Sequence, residues 1–563
     1  MADTEEQWFA TVRDYTERLV RVRAFSPTAD ERAVADTIFG LLTEGGLAHA
    51  YTAIGQDDLA GDPYGRRNVY AFVQGQRTET LVLLGHFDTV DIADYGPLEP
   101  WATDPDGLAE RAEALAALAP GLQADLDAHP GQWLFGRGSI DMKSGVAANI
   151  AVIRRLAAAA AQGQPPSVSV LLLATPDEET ESAGVLQAVR FLLRLREERG
   201  LTYLGAVNTD YTTATYPGDP HHYIYTGTIG KLLPHFLVVG RESHVGQPFN
   251  GVDANLLAAE LICDLSMNDT LCDHVRGQVT PPPVTLHASD LKARYDVQLP
   301  FAAHVYLNVL TFTTTPADLL ARLRQIAAST LARALERLDR CEERWLAAAG
   351  EPGQAVTPRA GSVYTYGELR AHAERQHGVD AVAHALAGEV ARRPTDADMD
   401  AGTDTDTRER SLRVVRQLWA LAGLTGPAIV LFYSPPYYPH VAAAPGPLHT
   451  AVAAVADAHP ALRLVTREFY PYISDMSYLR LDAGVETAAL TANMPLWTSP
   501  EAAIPGGYTL PLDAMRTLNL PVVNLGPYGR GAHQRGEAVL MPYSFGVLPQ
   551  LLWEVIARLG DDL

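Results

Sequence analysis

Apolar and charged positions alternate at helical spacing over the first forty residues, which predicts two opening helices. Thr28-Ala29-Asp30-Glu31 fits a capping box ahead of Val34, Ile38, Leu41 and Leu42, so the second helix is expected to start there. The pattern then changes to short apolar runs of the kind that form buried strands: Val69 to Val73, Leu81 to Leu84, Val168 to Ala174 and Leu204 to Val207. Helical stretches separate them. Val146 to Ala161 is Ala-rich with Ile150, Ile153 and Leu156, and Ala183 to Arg199 carries charge pairs at i, i+4. Strands alternating with helices imply an α/β fold on a mostly parallel sheet.

From about Tyr223 the organisation resets. Strand-like Lys231 to Val239 is followed by a helix near Ala254 to Ser266, strand-like Leu286 to Gln298 and Ala303 to Thr311, and a helix from Pro316 onward. This β-α-β-β-α order predicts a small α+β domain. Arg340 to Thr425 reads as a helical, polar insertion, with the Asp/Thr-rich Pro394 to Thr407 as a solvated linker. A strand from Ala428 to Tyr433, ended by Pro435-Pro436, is expected to complete the small sheet before the α/β style returns from Leu448. The expected layout is an α/β domain made of residues 1–220 and 441–563, interrupted at 221–440 by an α+β domain with a helical insertion at about 340–425.

Composition narrows the function. With 47% hydrophobic and 20% charged residues the chain is globular, and 563 residues exceed what one core of roughly 250 to 300 residues holds. A net charge of −23 repels phosphate backbones and anionic lipid heads, so neither nucleic acid nor membrane is an expected partner. Cys263, Cys272 and Cys341 form no CxxC pair, which leaves neither a disulfide framework nor a thiolate zinc site. The acidic N-terminus lacks an apolar signal region, and no stretch reaches ~18 unbroken apolar residues. The expectation is a cytoplasmic protein.

Four apolar strands run into polar residues at their C-terminal ends, where ligands bind in open α/β sheets. Leu81 to Leu84 leads to His86 and Asp88, Leu171 to Leu173 to Asp177, Glu178 and Glu179, Ala206-Val207 to Asp210, and Pro521 to Val523 to His533. Asp141 stands in a Gly-rich turn before the Ala-rich helix, where the helix dipole favours a carboxylate. Two imidazoles with several carboxylates suit zinc, manganese or cobalt. Five ligand residues are too many for one tetrahedral ion, whereas a bridging carboxylate can join two ions ~3.5 to 4 Å apart that acidify water and polarise a carbonyl. In the Glu178-Glu179 pair one side chain can then bind metal while its neighbour transfers protons. That chemistry hydrolyses amides or esters.

Leu84-Gly85-His86-Phe87-Asp88-Thr89-Val90, Gly136 to Gly145 with Asp141-Met142-Lys143, Asp177-Glu178-Glu179, and Gly526-Pro527 leading to His533 resemble the metallopeptidase family M20 of aminoacylases, dipeptidases and carboxypeptidases. Within it the large insert and Tyr472-Ile473-Ser474-Asp475-Met476-Ser477-Tyr478 are most similar to the RocB-type arginine-utilisation group. The resemblance implies a catalytic α/β domain with an inserted lid, and a small peptide or N-acyl amino acid as substrate. It implies that His86 and Asp210 hold one metal, Glu179 and His533 the other, and that Asp141 bridges both. Glu178 would be the general base, and Asp88 would accept the second ring N–H of His86 and fix its tautomer. A cis peptide is implied after Asp141. In the lid, Gly240 to His244 resembles the segment whose His, here His244, stabilises the oxyanion, in dimeric members across the subunit interface; a homodimer through the lid is the corresponding partner expectation.

The departures are local. Asp91 to Gln132 is a long acidic, Ala-rich stretch between His86 and Asp141, and Leu307 to Leu310 stands where many members have an Arg that grips a substrate carboxylate, with Arg530 as a possible substitute. Asp475 reads by default as a helix N-terminal cap, and His221-His222 as a solvated hinge. Thr226 to Lys231 lacks the spacing of a phosphate-binding loop. The missing lid Arg motivates the alternative reading, a non-catalytic metal-binding or regulatory protein on the same fold.

Overall fold

The apolar runs read as buried strands lie side by side in the structure, a computed structural model that describes residues 4–350, 356–392, 406–482 and 484–561. The chain divides into two units: one holds Met1–Thr228, Val441–Asp482 and Leu512–Leu563, the other Ile229–His440 and Ala483–Pro511. The segment Ala483–Pro511, read from the sequence as part of the α/β domain, thus groups with the second unit.

The first unit carries an eight-stranded sheet in the order Ala53–Asp58, Arg67–Val73, Ser169–Thr175, Glu79–His86, Thr202–Asn208, Val522–Asn524, His222–Tyr225, Leu464–Arg467. Its centre, from Ser169–Thr175 to Val522–Asn524, is parallel. Arg67–Val73 pairs antiparallel at one side, and His222–Tyr225 antiparallel at the other. Every residue of Ser169–Thr175 is buried, which is why that strand reads as a continuous apolar run. Helix Ser144–Ala161 packs in the same core as Val170, Leu172, Leu81 and Leu83. The span Ser139–Ala161 is long and apolar enough to cross a membrane by length and composition alone, with 67% of its window buried in the protein; core packing accounts for that composition.

Asp91 to Gln132 folds into short helices. Ile92, Tyr95, Leu98, Leu108, Leu115 and Leu122 form a satellite core with Trp133, Phe135 and Leu540. That core rests on a three-stranded sheet of Gly529–Arg530, Ala538–Leu540 and Trp133–Phe135. The start of helix Glu31–Thr43 differs from the expected capping box: Glu31 accepts from the Thr28 amide at 3.2 Å, while the Thr28 hydroxyl accepts from Asp30 instead of closing the box. A full box caps helix Glu5–Val20, through Thr4 and Gln7.

The second unit has a five-stranded sheet in the order Val284–Asp290, Ala302–Thr311, Gly230–Val239, Ala428–Tyr438, Ser362–Thr365. Three features differ from the sequence reading, the first being the strand expected from Leu286 to Gln298, which runs from Val284 to Asp290. The strand from Ala428 continues through Pro435-Pro436 to Tyr438, with its register broken between Ser434 and Tyr438, where the prolines have no N–H for the ladder. Within the insertion, Ser362–Thr365 adds a parallel edge strand next to helices Tyr366–His377, Val379–Val390 and Thr407–Ala422. The linker reading of Pro394 to Thr407 lies outside the described residues except at Asp406, which caps the last of these helices, and Thr407, its first residue.

Candidate metal centre

All five expected ligand residues belong to the first unit and meet above the carboxyl ends of its parallel strands. His86 ends strand Glu79–His86, and Asp210 follows strand Thr202–Asn208 by two residues. Asp141 lies between strand Trp133–Phe135 and helix Ser144–Ala161, and its peptide to Met142 is cis. His533 sits in the loop between the paired strands Gly529–Arg530 and Ala538–Leu540, and the second of these pairs with Trp133–Phe135. One small sheet therefore delivers both Asp141 and His533.

Ligand atoms of His86, Asp141 and Asp210 lie within 4.8 Å of one another, and so do those of Asp141, Glu179 and His533. Asp141 is common to both groups. Its Oδ1 is 3.1 Å from His86 Nε2 and its Oδ2 is 3.2 Å from His533 Nε2, so each oxygen serves one group. Glu179 Oε2 is 2.9 Å from His533 Nε2. Glu178 stands outside both groups, its Oε2 3.9 Å from His86 Nε2.

The backbone around the centre is tightly held. Asp88 Oδ1 lies 3.4 Å from His86 Nδ1, and the same carboxylate accepts from the amides of Glu178 at 3.1 Å and Glu179 at 3.0 Å. Asp88 therefore ties the His86 ring to the turn that carries both glutamates. Asn524 clamps Asp210, accepting from its amide at 3.1 Å and donating to its carbonyl at 2.8 Å. A Cβ on Gly526 would fall 1.8 Å from the Asp210 carbonyl oxygen, so only glycine lets the chain leading to His533 pass that close. Glu537 pairs with buried Arg137 at 2.6 Å and faces the amides of Ile140 and Asp141 at 3.4 Å.

Asp177 adopts φ 72°, in the left-handed region, and is held by Arg66, by Ser26 Oγ at 3.1 Å and by the Ala183 amide at 3.0 Å. Arg66 is itself buried and also binds Asp62 at 2.8 Å and Glu31 at 3.3 Å. Truncating it strands three buried carboxyl groups, so Arg66→Ala is expected to lower stability by about 3 to 5 kcal/mol, read as a shift of the denaturant midpoint. A midpoint within error of the parent would remove Arg66 from this role.

Carboxyl groups outnumber cations here. Burial pushes Glu178 and Glu179 above the ordinary carboxylate range, and burial with the charge of Asp141 pushes Asp210 to about 7. Burial also opposes ionisation of Asp141, but hydrogen bonds from His533 and His86 overcome it and hold that carboxyl below its usual range. Hydrogen bonds to Asp141 and Glu179 raise His533 to about 11. In His86, burial disfavours the charged ring, yet Asp141 and Asp88 raise it well above the ordinary value. The protonated rings supply the positive charge that buried carboxylates require, and divalent cations meet the same demand by displacing those protons. The donor set of imidazole and carboxylate, split into two groups by one shared aspartate, fits two such ions.

Other expectations resolve differently. Ser474, and not Asp475, caps the short helix Asp475–Tyr478, by accepting from the Met476 amide. Asp475 is buried, accepts from Thr175 Oγ1 at 3.0 Å and is pushed to about 7 by burial; its charge acts on Glu178. Sequence reasoning missed Asp475, Asn524 and Glu537 as parts of the site. Arg530 is engaged by Asp125 and by the Pro120 carbonyl at 2.8 Å, so it braces the satellite core instead of standing ready for a substrate carboxylate. His222 is no solvated hinge: it stacks on Tyr543 at 4.0 Å. His244 belongs to the second unit, exposed on its surface, and its Nδ1 accepts from the Gly246 amide at 3.0 Å, which makes Nε2–H the ring's donor.

Fold and site together define a metallohydrolase. The chain belongs to peptidase family M20/M25/M40, whose profile matches residues 82–493. It is 34% identical to the protein YqjN of Bacillus subtilis, covering 96% of this chain and 95% of that one. It is 31% identical to the protein RocB of the same organism, covering 97% and 94%. A succinyl-diaminopimelate desuccinylase of Xanthomonas campestris is 29% identical over 40% of this chain and half of its own length. The aminopeptidase PepT of Bacillus cereus has the same fold, with a TM-score of 0.50 at 12% identity over 98% of each chain.

Proposed function

We propose that this chain is a dinuclear metal-dependent hydrolase that cleaves the amide bond of a small peptide or N-acyl amino acid. The observation that carries the reading is the position of Asp141, one oxygen facing His86 and the other His533. His86 and Asp210 would hold one ion and Glu179 and His533 the other, with zinc favoured by the ligands and manganese or cobalt compatible with them. When bound, such a pair acidifies water and polarises the carbonyl to be attacked.

The chain's own groups do the rest. Glu178, close to the centre but outside both ligand groups, takes a proton from the attacking water on a carboxylate oxygen and passes it to the leaving amine. Asp88, its Oδ1 3.4 Å from His86 Nδ1, would accept from that nitrogen and so keep Nε2 as the ligand atom. His244, with Nε2–H as donor, would supply a hydrogen bond to the oxyanion, a contribution of ~2.7 to 4 kcal/mol. The resemblance to the RocB-type arginine-utilisation group, carried by the large insert and Tyr472 to Tyr478, suggests a role in amino-acid catabolism with arginine-derived compounds as the first substrates to try. The free cysteines accord with a cytoplasmic setting, and the family resemblance at His244 with two chains paired through the second unit.

The test is an assay of purified chain against dipeptides and N-acyl amino acids, N-acyl-arginine included, before and after chelation. Turnover that disappears with the metal and returns with zinc, manganese or cobalt is the expected result. Stoichiometric metal without turnover across the panel would overturn the hydrolase reading in favour of a binding role.

A further inference from the structure

The second unit contains a histidine cluster that the proposed hydrolase chemistry does not use. His287 lies on the edge strand Val284–Asp290, His304 on its neighbour Ala302–Thr311, and Glu409 on helix Thr407–Ala422. One ligand atom from each falls within 4.8 Å of the others. His304 is buried, Glu409 is partly exposed and His287 is exposed, so the trio runs from the interior of the unit to its surface.

The hydrogen bonds behind His304 decide what its outer nitrogen can do. Ser434 Oγ lies 3.0 Å from His235 Nδ1, and His235 Nε2 lies 3.0 Å from His304 Nδ1. Both rings are buried and joined to each other and to Ser434 through this relay. As neutral imidazoles they allow two proton arrangements. In one, His304 Nδ1–H donates to His235, His235 Nδ1–H donates to Ser434, and His304 Nε2 presents a lone pair. In the other, every proton is reversed and His304 Nε2–H points outward.

Glu409 Oε1 is 3.8 Å from His304 Nε2. That is too long for a hydrogen bond, so the second arrangement leaves the outward N–H without its carboxylate. The same gap suits an ion between the two atoms, since zinc sits ~2.0 to 2.2 Å from nitrogen and oxygen ligands. The relay to His235 and Ser434 is the kind of outer hydrogen bond that orients a metal-binding imidazole. His287, its ring stacked on Tyr306 at 5.5 Å, brings the third ligand atom within 4.8 Å of the other two. Arg408 is paired with Asp406 at 2.6 Å, while the charge of Arg416 acts on both His304 and Glu409. Arg416 therefore makes this a weaker site than one lined by carboxylates alone.

We propose that His287, His304 and Glu409 bind a divalent transition ion of the zinc type, separate from the centre in the first unit, fastening helix Thr407–Ala422 to the edge of the five-stranded sheet. Full-length parent and the double variant His287→Ala/Glu409→Gln are stripped of metal, dialysed against the same free zinc, and compared by elemental analysis per chain. Both substitutions are at partly or fully exposed positions, and His304 stays in place, so the sheet is left intact. The expected result is one equivalent less zinc in the variant, whatever number the first unit holds, and loss of one component of the cobalt absorption spectrum when cobalt replaces zinc. Equal zinc content and superimposable cobalt spectra would overturn the proposal.

Discussion

Replacing Glu178 by glutamine lowers turnover by about 10²- to 10⁴-fold, the range for loss of a general acid–base group, and leaves the metal content of the chain unchanged. Glutamine keeps the shape of the side chain and removes its ability to take and return a proton. Glu178 is the glutamate of the pair that stands apart from both ligand groups, while its neighbour Glu179 lies against His533. Its side chain is only 10% exposed, and burial together with Asp475 disfavours the charged form, which suits a group that must accept a proton near neutral pH. Steady-state kinetics and elemental analysis on the same preparation check both halves. Full activity in the variant would take the base role from Glu178, and loss of metal would make it a ligand instead.

The second large effect is expected at Asp141. Alanine there removes the shared ligand from both groups at once, so both ions are lost together and activity falls below detection. Removing His533 instead would spare the His86 and Asp210 group, which makes the joint loss specific to Asp141. The substitution also leaves His86 and His533 without their common carboxylate, so the rings should titrate closer to ordinary imidazoles, visible in proton NMR of metal-free protein. Folding is checked by circular dichroism. An Asp141→Ala chain that still carries the parent's metal would contradict bridging.

Much of this centre was legible because strand ends are a local signal. Leu81 to Leu84 and Leu171 to Leu173 are apolar on both faces, so the first polar residues after them mark the sheet's carboxyl edge, where His86 and Glu179 were found. The supporting groups carry no such signal. Asp475 follows a serine and opens a short helix, which reads as a cap until the fold brings it to Thr175, 300 residues away. Glu537 meets Arg137 across 400 residues, and Asn524 meets Asp210 across 314. Such contacts depend on how strands are ordered, and periodicity does not encode that. Arg530 failed as a substrate-binding candidate for the same reason, since its partner Asp125 lies in a stretch whose packing could not be foreseen. The proline pair in Ala428–Tyr438 misled in the opposite direction: a local rule for ending a strand yielded to a break in register.

The central claim is that side chains from three strand ends, the turn before helix Ser144–Ala161 and the loop of His533 hold two neighbouring ions through one aspartate. Anomalous scattering from zinc-loaded crystals tests it most directly. The account predicts two peaks ~3.5 to 4 Å apart, one beside His86 and Asp210, the other beside Glu179 and His533, with Asp141 between them. A single peak in that region, or two ions that share no aspartate oxygen, would contradict it.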